Sequence, residues 1–308
     1  MSKRAWRLHG RLLEHGGRGN HRKVLAVAKK LIAVLEREPP SADRDLMLVN
    51  ALAVRADVLG RQGAFSPAIA DGRRAMALLA ELPDTDDITI VRVQSSLVQI
   101  LALADRAEEI RAMDHGAFTA YRSRLPNLSD DAIPPAVSAL SPYAAALHMI
   151  GDDEEACAVD RELAAAFRSY GGTPGAQAWG FYCAILLNLA KATPSAAESR
   201  DVAEEVIERL GGLMNDGHFF VAGQLVDAMI QRGLALRRLD DPETVQHLID
   251  AEFVLESLRL AVPDYDGHAA ELATQITPAE RDEGRPVSEE VAVMVGDWKR
   301  KLDITFRR

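Results

Sequence analysis

A chain of 308 residues, 48% of them hydrophobic, carries enough apolar side chain for a sizeable core, which excludes disordered and fibrous classes. Its net charge of −10 argues against direct nucleic-acid binding, because neutralising phosphates needs a basic surface. Aromatics at 5%, among abundant Ala and Leu, favour closely packed helices over a sheet core.

Turn-rich stretches break the chain at regular intervals, from "EHGGRGN" and "REPPSAD" near the start to "RLDDPET" and "AVPDYDG" near the end. Between successive breaks lie about 12 to 20 residues with apolar positions at i, i+3, i+4 and i+7, the helical period. This predicts twelve helices in six hairpins and no sheet.

The first hairpin opens with "MSKRAWRLHGRLLEHGG", which lacks the apolar run of a signal peptide. No stretch of the chain reaches the roughly 18 apolar residues of a membrane span. A cytoplasmic protein without membrane contact is expected. Residues 1–37 hold ten Lys or Arg against two Glu, a net of +8, which leaves −18 on the remainder. Either this is ordinary solvated charge, or the basic end meets an acidic partner or the acidic body of another copy, giving a homo-oligomer through the chain ends. His9, His15 and His21 are spaced by six, which does not put two imidazoles on one helix face, so basic surface is expected and no metal site.

In the second hairpin, Ala56, Leu59 and Gly63 lie twelve, nine and five residues before Ala68, and Ala75 lies seven after it. Ala144, Leu147, Gly151 and Ala156 repeat these offsets in the fourth hairpin, and Ala184, Leu187, Ala196 and Ala203 do so in part in the fifth. Small residues at such places let two helices approach, and Gly relaxes the turn between them. The set is weaker elsewhere: Leu12, His15, Gly19 and Val24 in the first hairpin, Val98, Leu101, Asp105 and Ile110 in the third, Gly233, Leu236, Asp240 and Val245 in the sixth.

The fourth hairpin contains Pro142 inside an expected helix, which is kinked there or restarts with Ser141 as N-cap. Its acidic run Asp152 to Glu155 fits the first turn of a helix, where carboxylates favour the positive end of the dipole. The fifth carries the most aromatic stretch, "AWGFYCAILLNLA". Cys157 and Cys183 read as buried small hydrophobes, since neither belongs to a CxxC pair or a disulfide framework. Beyond residue 260, Thr277, Pro278 and Glu280 form a capping box, and a last helix over about 288–304 aligns Val291, Val295, Trp298 and Leu302 on one face. Such a helix suits the terminal cap that a repeat array needs.

The combination of small residue, Leu, turn Gly, second-helix Ala, later Ala and terminal Pro83 resembles the tetratricopeptide repeat, whose helix-turn-helix units stack into a superhelix. Gly72 departs from the family, which favours a large residue there. Intervals of 44, 42, 46, 40 and 49 residues between Val24, Ala68, Ile110, Ala156, Ala196 and Val245 also exceed its usual period of roughly 34. The resemblance implies an all-α chain, an α-α superhelix of about six hairpins over 1–260, with an extension and capping helix over 261–308.

It also implies that the first helix of each hairpin lines a concave groove for a protein or peptide partner. Laid on that geometry, the groove-facing set is Asn50, Asp57, Arg61, Arg92, Ser95, Gln99, Ser138, His148, Asn188, Asp227 and Arg237, with His9 at the start. Arg and amide side chains there could bond a peptide backbone or a terminal carboxylate. No phosphate-binding loop, zinc motif or nucleophile elbow occurs, so no catalytic residue, cofactor or metal is assigned. A non-catalytic binding scaffold or regulator is the leading expectation. The alternative is a small-ligand-binding protein or enzyme inside the solenoid, with Trp179, Phe181 and Tyr182 as a wall and His148 as acid or base.

Overall fold

The computed structural model describes the chain except residues 18–19, 83–84, 173, 263, 279, 281–283 and 307–308; nothing is said of the side chains at 17 and 303–306. Gly19 and Pro83, two positions of the repeat pattern, lie outside the described residues. Every described element is helical, as composition and period predicted, and no described helix is long and apolar enough to cross a membrane.

The chain forms two compact units, Met1–Ala166 and Phe167–Arg308. The first holds α1 (Lys3–Gly17), α2 (His21–Leu35), α3 (Ala42–Arg61), α4 (Phe65–Glu81), α5 (Asp87–Leu103), α6 (Ala107–Arg111), α7 (Gly116–Arg122), α8 (Ile133–Met149) and most of α9 (Asp153–Ser169). From α1 to α5 each helix packs on the next, α5 packs on α8, and the first helices of neighbouring hairpins also meet, α1 with α3 and α3 with α5. The second unit holds α10 (Ala176–Ala192), α11 (Ala196–Asn215), α12 (Ala222–Arg238), α13 (Thr244–Ser257), α14 (Tyr265–Gln275) and α15 (Glu289–Phe306). There α10 to α14 pack in order, first helices again meet as α10 with α12 and α12 with α14, and α15 lies on α11 and α13.

Local chemistry starts these helices where they start. Asn20, Ser41, Asp86 and Ser195 each accept a backbone N–H three residues on, from Lys23, Arg44, Thr89 and Glu198, satisfying a donor that the first turn leaves orphaned. The capping box forms as expected: Glu280 N donates to Thr277 Oγ1 at 3.2 Å and Thr277 N to Glu280 Oε2 at 2.6 Å. Asp153, Glu154 and Glu155 occupy the first turn of α9. Helix α8 runs on through Pro142 and does not restart at Ser141.

Four hairpin turns share one backbone device, which recurs after α11, where Gly217 takes a φ of 87° and His218 donates to the Leu213 carbonyl at 2.9 Å. Gly63, Asp105, Gly151 and Asp240 all take positive φ, at 75°, 58°, 77° and 54°. In each case the next residue donates its N–H to a leucine carbonyl five back: Ala64 to Leu59, Arg106 to Leu101 and Asp152 to Leu147 at 2.9 Å, Asp241 to Leu236 at 3.0 Å. This is the Schellman closure of a helix C-terminus, and it falls on the Leu and turn positions of the repeat pattern, including two hairpins where Asp replaces Gly. Side-chain bridges also join residues about one hairpin apart within each unit: Arg74 to Glu36, Arg92 to Asn50 and Arg122 to Glu162 in the first, Arg168 to Glu205 and Lys191 to Asp227 in the second.

Two details differ from expectation. The second helix of the third hairpin is split into α6 and α7, because Asp114 Oδ1 accepts the Gly116 N–H at 2.8 Å and turns the chain where a helix would continue. After residue 260 there is an additional helix, α14, which buries Leu272 and packs on α12 and α13. The predicted terminal helix is α15: Val295, Trp298 and Leu302 are buried and Val291 half-buried, and Trp298 Nε1 donates to Asn215 Oδ1 at 2.8 Å.

Candidate functional site

Two stretches of first-helix surface carry the polar side chains assigned to the groove. In the first unit, Arg92 on α5 donates Nη2 to Asn50 Oδ1 on α3 at 3.0 Å, which brings two expected residues together across neighbouring hairpins. Further along α3, Arg61 Nε reaches both oxygens of Asp57 at 3.1 Å. Arg61 and Arg92 are exposed, so this face offers guanidinium groups to solvent with their near ends already oriented by a partner.

Other members of the set fall differently. Ser95 is fully buried in α5, with no hydrogen bond to Oγ, and does not line a groove: α5 is covered by helices on several sides, which turns a small polar residue inward. Gln99 and Asn188 are half-buried, Ser138 is exposed, and His9 is half-buried beside Trp6. Arg237 donates Nη1 to the Gln275 carbonyl, and its Nη2 lies 3.2 Å from Glu280 Oε1, so it fastens the segment after α14.

His148 is not a free groove residue either. Its Nε2 lies 2.8 Å from Asp160 Oδ2 and its Nδ1 3.1 Å from Asp153 Oδ1, which ties α8 to α9. Burial works against protonation of the ring, but the bonds to Asp160 and then Asp153 outweigh it and hold the pKa above the usual histidine value. Burial also pushes the Asp160 carboxyl up, against the pull of His148.

The second unit presents a more developed face. A 3₁₀ turn over Phe219–Val221 leads into α12, burying Phe219 and turning Phe220 outward, where it is 61% exposed. Phe181 on α10 is 46% exposed. The two rings line a cleft of about 480 Å³ with Gln177, Gln224, Asp227 and His268, contributed by the first helices α10 and α12 and by α14. Asp227, from the expected set, sits between two cations or donors: Lys191 Nζ at 3.2 Å from Oδ2 and His268 Nε2 at 2.9 Å from Oδ1. Gln224 Nε2 donates to the Gly180 carbonyl at 3.4 Å and holds α12 to α10.

Sequence reasoning missed Phe220, Lys191, Gln224 and His268. Phe220 lies in a turn, where helical period gives no direction, and His268 belongs to the unpredicted α14. Of the aromatic wall, Phe181 lines the cleft, whereas Tyr182 is buried, stacks on Phe167 at 4.5 Å and donates to Glu205 Oε1 at 2.6 Å. Trp179 takes the Arg209 guanidinium over its ring at 4.9 Å. Cys157 and Cys183 are both buried, and burial pushes the Cys183 thiol up to about 12. Among the described residues no group of three or more His, Cys, Asp or Glu is placed to hold a metal ion.

No family model matches the chain, and no curated protein matches it. Among solved structures it is similar to the crystal structure of BtubC (BKLC) from P. vanneervenii, with a TM-score of 0.55 and 16% sequence identity over 78% of this chain and 92% of that one. The likeness is one of fold.

Proposed function

We propose that this protein is a non-catalytic binding scaffold or regulator, which holds a protein or peptide segment in the concave groove of a tetratricopeptide-like solenoid. The observation that carries the reading is the cleft on α10, α12 and α14: two exposed phenylalanines, Phe181 from α10 and Phe220 from the turn that leads into α12, bordered by amides and by Asp227 with its bridging Lys191 and His268. Such a surface suits an apolar side chain laid over the rings, with backbone groups bonded by the amides. The shared Leu and positive-φ closure of four hairpins supports a repeat origin for the array.

The test is selection of displayed random peptides on the intact chain, followed by affinity measurement against Phe181→Ala/Phe220→Ala and Arg61→Glu/Arg92→Glu variants. Selected peptides whose binding falls about tenfold or more, equivalent to roughly 1.4 kcal/mol, in the phenylalanine variant support the reading. Peptides that bind both variants as well as the parent would remove it.

A small-ligand or catalytic site on His148 has one observation in its favour, the half-buried ring held between two carboxylates. That arrangement orients a general base. Its test is turnover of a candidate substrate by His148→Gln, whose loss would favour this reading over the scaffold.

A further inference from the structure

The groove reading leaves two surfaces unused, one on each unit, and they complement each other. Helix α1 buries Ala5, Leu8 and Leu12 against the first unit. An adjoining side, about 100° round the helix, exposes Trp6 by 57% and Leu13 by 59%, seven residues apart and therefore on one stripe, with Gly10 between them. Lys3, Arg4, Arg7 and Arg11 are exposed around that stripe. An exposed tryptophan and leucine on a basic helix form an amphipathic face left open among the described residues.

The second unit holds a cleft of about 670 Å³ between α11, α12, α13 and α15. Leu225, Met229, Met294 and Trp298 give it an apolar floor, and Glu204, Glu208, Glu243 and Glu290 stand around it, all four exposed. Arg232, the cation among the lining side chains, is already engaged, with Nη1 2.9 Å from His247 Nδ1 and Nη2 3.9 Å from Glu204 Oε1. Burial, then the Arg232 charge, lower the His247 pKa to about 4, so this imidazole is neutral at physiological pH and leaves the cleft acidic.

We propose that α1 of one copy docks in this cleft of a second copy, with Trp6 and Leu13 on the apolar floor and Arg7 and Arg11 against the glutamates. The charge balance argues for this occupant: residues 1–37 carry +8 and the remainder −18, and each side matches an apolar feature of the other. Cleft volume falls within the range that encloses bulky side chains of a ligand, and Trp and Arg are the residues that anchor interfaces. Every copy carries one helix and one cleft, so the contact is heterologous, and two copies joined by one such contact keep one helix and one cleft between them for further contact. The proposal goes beyond the groove reading and uses none of its residues.

Light scattering on the full chain at about 20 mM and about 500 mM salt tests it, because screening shortens the reach of exposed charges. The expected result is a mass above the monomer at low salt, rising with concentration and falling to the monomer at high salt. Trp6→Glu and, separately, Glu208→Lys/Glu290→Lys are each expected to stay monomeric with unchanged circular dichroism. Arg7→Glu/Arg11→Glu is a second helix variant with the same expectation. Mixing Trp6→Glu with Glu208→Lys/Glu290→Lys restores one contact, the intact cleft of the first taking the intact α1 of the second, and yields a 1:1 complex that grows no further. A wild-type chain monomeric at low salt overturns the proposal, as does association that survives both variants or variants that fail to complement. If the cleft instead serves the basic helix of another protein or a small amine, the wild-type chain alone stays monomeric.

Discussion

Asp160 is fully buried, and its Oδ2 lies 2.8 Å from His148 Nε2 while its Oδ1 has no hydrogen-bond partner. The pair therefore depends on the ring to offset a desolvated carboxylate. Because the folded histidine pKa is raised above 6.5, its stabilisation is full below the unfolded value and is lost as pH rises through the folded one. His148→Gln should lose roughly 3 kcal/mol at about pH 6, the low end for breaking a buried pair, and less at about pH 9. Chemical denaturation of both proteins at the two pH values measures this; an equal gap at both would show that the ring is not protonated in the pair.

The four equivalent turn positions make a paired prediction. Gly151 takes a φ of 77°, so Gly151→Ala places a Cβ in the left-handed region and should cost about 1–2 kcal/mol. Asp105→Gly and Asp240→Gly remove a mild backbone strain but loosen the unfolded chain, and should change stability by less than about 1 kcal/mol. Thermal midpoints of the three variants decide it.

Helix contacts set the sign at two further glycines. A Cβ at Gly233 would come within 2.4 Å of Leu248 Cδ2, a side chain that is itself fully buried and has nowhere to move. Gly233→Ala should therefore destabilise by about 1–3 kcal/mol through overpacking between α12 and α13. At Gly211 nothing lies within 4 Å, and Gly211→Ala should stabilise by up to about 1 kcal/mol from helix propensity. Urea denaturation midpoints should move in opposite directions for the two variants.

Helix α15 is fastened by the buried Trp298, bonded to Asn215, and by Asp250, which accepts the Ser288 N–H at 2.9 Å and its hydroxyl at 2.8 Å. Trp298→Ala should cost about 3–5 kcal/mol. Amide hydrogen exchange should accelerate over α15 before it does over α10; uniform acceleration would mean that α15 is no separate cap.

Most of the helical framework was legible from periodicity, because the helices bury one stripe against the next. Helix α14 was not, since Leu272 is its single fully buried apolar side chain and leaves no stripe to detect. The break between α6 and α7 depends on one side-chain bond, Asp114 to Gly116, which spacing does not reveal. At the candidate site, Asp227, Asn50 and Arg92 lie on α12, α3 and α5, helices that follow from turn positions alone, whereas the Asn50–Arg92 bond was not foreseen. Ser95 and Arg237 were misread because burial and salt links come from elements distant in sequence. Phe220 projects from a turn, where the direction of a side chain is set by backbone dihedrals that periodicity does not encode.

The shared closure at Leu59, Leu101, Leu147 and Leu236 bears on how such a chain changes length over time. A chain cut at one positive-φ residue and rejoined at another leaves in the same direction and finds the same leucine carbonyl waiting. Exchange of segments between these points would keep the carbonyl acceptor and the turn geometry at the junction. Asp105 and Asp240 make the same closure as the two glycines, so an aspartate at this turn leaves the joint intact.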